Sequence, residues 1–117
     1  LLYAGDIESD KCLIKVEGKK LNKIFGFRDF DTLEVGEDVY AIGNPLGVFD
    51  KTLSSGLISS LRTVDRLNII QTNAAISQGS SGGGLFDSYG NLIGITTAYA
   101  AEGQNINLAI AASDFWK

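Results

Sequence analysis

The stretch Ala74-Ala75-Ile76-Ser77-Gln78-Gly79-Ser80-Ser81-Gly82-Gly83-Gly84-Leu85-Phe86 decides how this chain is read. Four of its 14 glycines fall within residues 78–84. Runs of Gly and Ser commonly form flexible linkers. This run is short, however, and is flanked by apolar stretches, Ala74-Ala75-Ile76 and Leu85-Phe86. Glycines in that setting let the backbone take conformations that a Cβ forbids, so that consecutive N–H groups converge on one spot. A serine in such a turn is how a nucleophile and an anion-binding hole are built together.

Outward from that stretch, the pattern has period two or short apolar runs, punctuated by Gly, Asn, Asp and Ser. It predicts strands over 12–17, 39–43, 52–61, 68–71, 84–87, 91–98 and 105–111. Ser88-Tyr89-Gly90-Asn91 and Ala100-Ala101-Glu102-Gly103 read as turns between strands. Gly43-Asn44-Pro45-Leu46-Gly47 reads as a rigid turn holding the only proline. Residues 19–31 mix charges with Phe25, Phe27 and Phe30 and read as a connection whose aromatics serve as core or as cover between lobes. Cys12 alternates with Ile14 and Val16 and reads as a small buried apolar residue. Only the end looks helical, with Ser113 as the N-cap of a helix starting at Asp114-Phe115-Trp116. Closure into a barrel leaves no unpaired edge, so the expected fold is all-β, an antiparallel barrel or sandwich of six or seven strands.

Composition narrows the function. The 117 residues suffice for one domain, and 44% apolar with 21% charged residues describes an ordinary globular chain. The net charge of −4 argues against nucleic acid and anionic membrane as partners. No apolar run approaches the roughly 18 residues of a membrane span. With one cysteine and no histidine, an internal disulfide and most metal sites are excluded, and no cofactor is implied. The missing histidine also removes the usual general base. The chain opens Leu1-Leu2-Tyr3-Ala4-Gly5 with no targeting pattern, and is read as beginning inside a larger protein.

Several blocks carry a resemblance. The stretch quoted first is similar to the Gly-Asn-Ser-Gly-Gly-Pro-Leu segment of trypsin-like serine proteases of the HtrA (DegP-like) type. Val35-Gly36-Glu37-Asp38-Val39-Tyr40-Ala41-Ile42-Gly43-Asn44-Pro45-Leu46-Gly47 matches that family almost residue for residue. Ser54-Ser55-Gly56-Leu57-Ile58-Ser59, Ile70-Gln71-Thr72-Asn73-Ala74-Ala75-Ile76, Gly90-Asn91-Leu92-Ile93-Gly94-Ile95-Thr96-Thr97-Ala98 and Leu108-Ala109-Ile110-Ala111 follow in the family's order. Upstream, Asp6-Ile7-Glu8-Ser9-Asp10-Lys11-Cys12-Leu13-Ile14-Lys15-Val16 looks like the segment holding the family's triad Asp, with Lys11-Cys12 departing from its Leu-Ala.

The resemblance implies a six-stranded chymotrypsin-like barrel, the second lobe, preceded by a strand from a truncated first lobe. Residues 1–18 would end the first barrel, 19–34 connect the lobes, and 35–117 form the second barrel with the start of a C-terminal helix. Ser81 would be the nucleophile, Asp10 the triad acid, and the N–H groups of Gly79 and Ser81 the oxyanion hole. Ile76, Ser77 and Gln78 with Thr96, Thr97 and Ala98 would bind a polypeptide substrate, with a small or medium apolar side chain before the cut. The histidine would lie upstream, so these residues alone would be inactive. Lys51, the one alternative base, is tied to Ser81 by no motif. A non-catalytic peptide- or protein-binding module is the second reading. The N-terminal strand, without its barrel, is expected to pair with another copy, to be disordered, or to fold onto the second barrel. Family resemblance implies a location outside the cytoplasm, periplasmic or secreted.

Overall fold

The computed structural model describes residues 2–6, 11–14, 17–18, 26–43, 52–76, 81–99 and 107–116. Alternation of inward and outward side chains dictates most of it. In β3 (Asp38–Gly43), Val39 and Ala41 are buried while Asp38 and Ile42 are exposed. In β8 (Asn107–Ala111), Ala109 and Ala111 face the core. Between them run β4 (Thr52–Val64), β5 (Leu67–Thr72), β6 (Gly84–Phe86) and β7 (Leu92–Tyr99). These six strands close into an antiparallel barrel in the order β3-β4-β5-β8-β7-β6. That is the closed six-stranded antiparallel barrel that the family resemblance implies.

One long strand makes closure possible. Residues 52–57 of β4 pair with β3, and its remainder pairs with β5. The register shifts between Ile58 and Ser60, at the changeover, where a bulge bends the strand. The interior is narrow. Val39, Ile58, Ile70, Leu85 and Ile93 fill it, and Ala41, Ala74, Ala109 and Ala111 leave room for them. Each large side chain buried contributes about 1.5–3 kcal/mol. Gly94 belongs to the same fit: a Cβ there would lie 3.1 Å from the Ala109 Cβ and 3.2 Å from Ile70 Cδ1.

The ends of the strands differ from expectation in three places. First, β4 reaches Val64 and β5 begins at Leu67, so Asp65 and Arg66 alone make the turn, at φ 50° and 71°. No glycine or asparagine marks that turn, which is why the sequence reads as a longer gap. Second, Ser113 does not precede a helix. A 3₁₀ helix runs Ala112–Trp116 straight from β8, and Ser113 lies buried within it. Its Oγ accepts from the Phe30 N–H at 3.2 Å instead of capping. Third, the N-terminal region holds two strands rather than one. β1 (Leu2–Asp6) and β2 (Lys11–Ile14) form a separate antiparallel two-stranded sheet. The run Leu2-Tyr3-Ala4 lacks the alternation that would mark a strand.

Residues 26–28 lie along the start of β7, with Arg28 N–H on Leu92 O and Leu92 N–H on Gly26 O, each at 2.9 Å. Phe30 packs on the core, whereas Phe27 is exposed. Arg28 ties this connection to the barrel through Glu37 at 3.1 Å and the buried Asp87 at 3.4 Å. Asn44, Pro45, Leu46, Gly47, Lys51, Phe25 and the turn at 100–103 lie outside the described residues, as do the side chains of Cys12 and Trp116.

Candidate active site

Ser81 is exposed and opens a turn directly before β6. Gly82 follows at φ +94°, in the left-handed region that favours glycine. A Cβ on Gly82 would meet nothing within 4 Å, so the backbone angle and not space selects the residue. Hydrogen bonds then hold the turn against β7. Gly82 N–H donates to Thr96 O at 2.8 Å, and Thr96 N–H donates to Gly83 O at 2.9 Å. Thr96 Oγ1 also donates to Gly83 O, at 3.2 Å. The Ser81 hydroxyl donates to Thr97 O, 3.4 Å away. Ser81 is thus presented at one end of the barrel, beside the backbone of β7.

The chain that leads into the glycine-rich stretch is fixed just as firmly. After β5, side chains from three strands satisfy backbone groups of Ala74 and Ala75, while the Asn73 side chain reaches back to the backbone of β4. Asn73 Oδ1 accepts from Leu57 N–H at 2.8 Å. Thr72 Oγ1 accepts from Ala74 N–H at 3.1 Å and donates to Leu57 O at 2.8 Å. Ser54 Oγ donates to Ala75 O at 2.6 Å, and Asn107 Nδ2 donates to Ala74 O at 2.8 Å. Gly56 permits this approach, because a Cβ there would lie 2.5 Å from the Ala74 nitrogen. Ile76, at the end of this platform, shares a cavity of about 30 Å³ with Thr96 and Ser54.

Ser81, Ile76, Thr96 and Thr97 therefore meet at one end of the barrel. Thr96 is buried and Thr97 half-buried; the backbone of Ala98 continues β7, and its side chain is outside the described set. Asp10, Ser77, Gln78 and Gly79 also lie outside the described residues. Sequence reading did not single out Ser54, Asn73 or Asn107. Their bonds reach residues 21, 16 and 33 positions away, so no local motif announces them. Among the described residues, no cluster of three or more His, Cys, Asp or Glu stands together as a metal-ligand set. No described helix is long and apolar enough to cross a membrane.

Charge at the far end of β6 stabilises the same hairpin. Asp87 is buried, and burial alone would push its carboxyl up. The backbone and side-chain donors of Asn91, the Tyr89 N–H and Arg28 outweigh burial and hold it below its usual value of 3.8. Asn91 and Tyr89 donate at 2.8–3.1 Å, and Gly90 between them sits at φ +85°.

Comparison with known proteins agrees with this geometry. Residues 2–95 match the family described as trypsin-like peptidase domain. The chain is 38% identical to the serine protease Do-like HtrB of Bacillus subtilis over 97% of its own length and 27% of that protein's. It is 41% identical to the periplasmic serine endoprotease DegP of Escherichia coli, covering 94% of the chain and 24% of DegP. The chain thus spans about a quarter of the length of these curated relatives. Among solved structures, the HtrA-type protease AlgW with tripeptide superposes at a TM-score of 0.85, with 38% identity, over 96% of this chain and 39% of that one. A serine endoprotease from Yersinia pestis superposes at 0.83, with 34% identity, over 99% of this chain and 41% of the other. This chain is a member of the trypsin-like peptidase domain family, of the HtrA/DegP type.

Proposed function

We propose that this chain is the serine-bearing part of an HtrA-type serine endopeptidase that cuts polypeptides through a Ser-His-Asp triad. Ser81 Oγ attacks the scissile carbonyl carbon, and its proton passes to a histidine supplied from outside these 117 residues. Asp10 orients that imidazole and stabilises its charged form. The N–H groups of Gly79 and Ser81 hold the oxyanion. The proton then moves from the imidazole to the leaving amine as the C–N bond breaks. Water, deprotonated by the same imidazole, releases the acyl group and restores the serine. Without a histidine, the 117 residues alone are inactive.

One observation carries this reading. The exposed Ser81 stands on a glycine turn bonded to β7 at Thr96 and Thr97, next to a platform whose backbone is held at Ala74 and Ala75. β7 continues to Tyr99, beyond Ile95 where β6 pairs with it, and an extended substrate lies along that stretch. Ile76, Ser77, Gln78, Thr96, Thr97 and Ala98 surround the side chain before the cut. Residues 1–18 belong to the end of the first barrel, residues 19–34 connect the lobes, and 35–117 form the second. Relatives named as periplasmic proteases support work outside the cytoplasm.

The natural full-length protein carrying this sequence is tested on an unstructured polypeptide. It is expected to cut. Ser81→Ala is expected to lower kcat by about 10⁶-fold and Asp10→Asn by about 10⁴-fold. Turnover that survives Ser81→Ala would contradict the assignment. A full-length protein that binds such peptides without cutting them would make it a recognition module instead.

A further inference from the structure

Arg28 crosses from the connection to the ends of two strands at once. Its backbone lies beside the start of β7, where Phe27 makes a parallel bridge to Leu92. The guanidinium then reaches Glu37, just before β3, at 3.1 Å and Asp87, just after β6, at 3.4 Å. β3 and β6 are neighbours in the barrel, with Tyr40 opposite Phe86. Nε also donates to Thr32 Oγ1 at 3.2 Å, and Nη2 donates to the Thr32 carbonyl, so residues 28–32 close on themselves. Oxygen atoms of Glu37, Asp87 and Thr32 thus hold one planar fork. The Asp87 carboxylate is buried, and a buried ion pair adds little net stability over well-packed apolar side chains. What a rigid fork supplies is direction, because its donors bind only in a fixed geometry. The strand gripped at Asp87 is the one that Ser81 leads into: β6 is only Gly84–Phe86, with Ser81 shortly before it and Asp87 directly after it.

We propose that Arg28 is a positioning residue: its fork locks the connection between the lobes to the strand that carries Ser81, and so sets how the proton acceptor meets the serine hydroxyl. This rests on Ser81 as nucleophile and on residues 19–34 as the link between lobes. In that reading Asp10 and the histidine lie on the N-terminal side of the link, and Ser81 lies on the other. The stretches assigned to substrate, 76–78 and the end of β7, stand wholly on the Ser81 side. Loss of the fork therefore leaves substrate binding as it is and misplaces the base. A misplacement of about 1 Å, caused far from the chemistry, can cost about 100-fold in rate.

The test uses the natural full-length protein, its Arg28→Ala and Arg28→Lys variants, and Ile70→Val as a core control. Cleavage of a peptide substrate gives kcat and KM at a temperature where urea unfolding shows every variant folded. Arg28→Ala is expected to lower kcat by about 10–100-fold with KM at the parent's value. Labelling by a plain fluorophosphonate, which needs the same base, is expected to slow in parallel. Arg28→Lys keeps the charge but not the fork; it lowers kcat by less, and replaces the Ala variant if that one fails to fold. Ile70→Val removes a methylene from the core, so it loses stability with kcat unchanged. A kcat that falls in Ile70→Val as it does in Arg28→Ala assigns the loss to general loosening and overturns the proposal. Unchanged kcat in the Arg28 variants overturns it too, as does a rise in KM that accounts for the whole loss of kcat/KM. In these cases a parent that fluorophosphonate labels at Ser81 leaves the nucleophile standing. A parent that it does not label removes the nucleophile assignment, and this proposal falls with it.

Discussion

The Ser81 hydroxyl faces the carbonyl of Thr97 at 3.4 Å, across the turn made by Gly82. Its position depends on a backbone angle that an L-residue adopts only under strain. Gly82→Ala is therefore expected to destabilise the fold by about 1–2 kcal/mol, the cost of a left-handed L-residue, though its methyl group enters open space. Urea unfolding measures the loss, and the rate of fluorophosphonate labelling should fall in parallel. Unchanged stability would mean that the turn is not held at this angle.

A different mechanism governs Gly56, where the backbone approach leaves no room beside Ala74. Gly56→Ala is expected to cost about 1–3 kcal/mol through overpacking, and to loosen residues 73–75. Ser55→Ala, one position away on the exposed face, should be close to neutral. Thermal unfolding of the two variants separates a local clash from a general intolerance of β4.

The turn at Asp65 and Arg66 holds two non-glycine residues at positive φ. Hairpin turns of this kind favour glycine at the second position. Arg66→Gly is expected to relieve part of the roughly 1–2 kcal/mol of left-handed strain, offset in part by greater freedom of the unfolded chain. The melting temperature should rise; a fall would show that the Arg66 side chain makes a stabilising contact.

Acid should expose the role of Asp87. Its carboxyl is held below 3.8, so its contribution is complete above the unfolded value and is lost as pH falls through the folded one. Stability is expected to decline below about pH 4, where carboxylates with ordinary values protonate. Asp87→Asn should lower stability at pH 7 by about 1–3 kcal/mol, the cost of unsatisfied buried partners, and flatten the decline below pH 4. An equally steep acid limb in the variant would assign it to other carboxylates.

What the sequence disclosed follows from the range of the interactions. Alternation in Val39-Tyr40-Ala41 and the Gly90 turn are local, so β3 and the β6–β7 hairpin were legible. The strand pattern and the glycine turn at Gly82 were legible too, because a period of two and a glycine run each have a local cause, whereas closure into a six-stranded barrel rather than a sandwich rested on the family resemblance. The Asp65-Arg66 turn was hidden because its residues are not those that such turns prefer. Likewise, the platform held by Ser54, Asn73 and Asn107 depends on contacts between strands, which leave no trace in spacing. Asp10 and Gly79 rest on family resemblance alone, outside the described residues.

Covalent labelling tests the nucleophile most directly. The natural full-length protein is treated with a fluorophosphonate, digested and mapped by mass spectrometry. A single adduct on the peptide containing Ser81, absent in Ser81→Ala, is the predicted result. No adduct, or one that persists in Ser81→Ala, would contradict it.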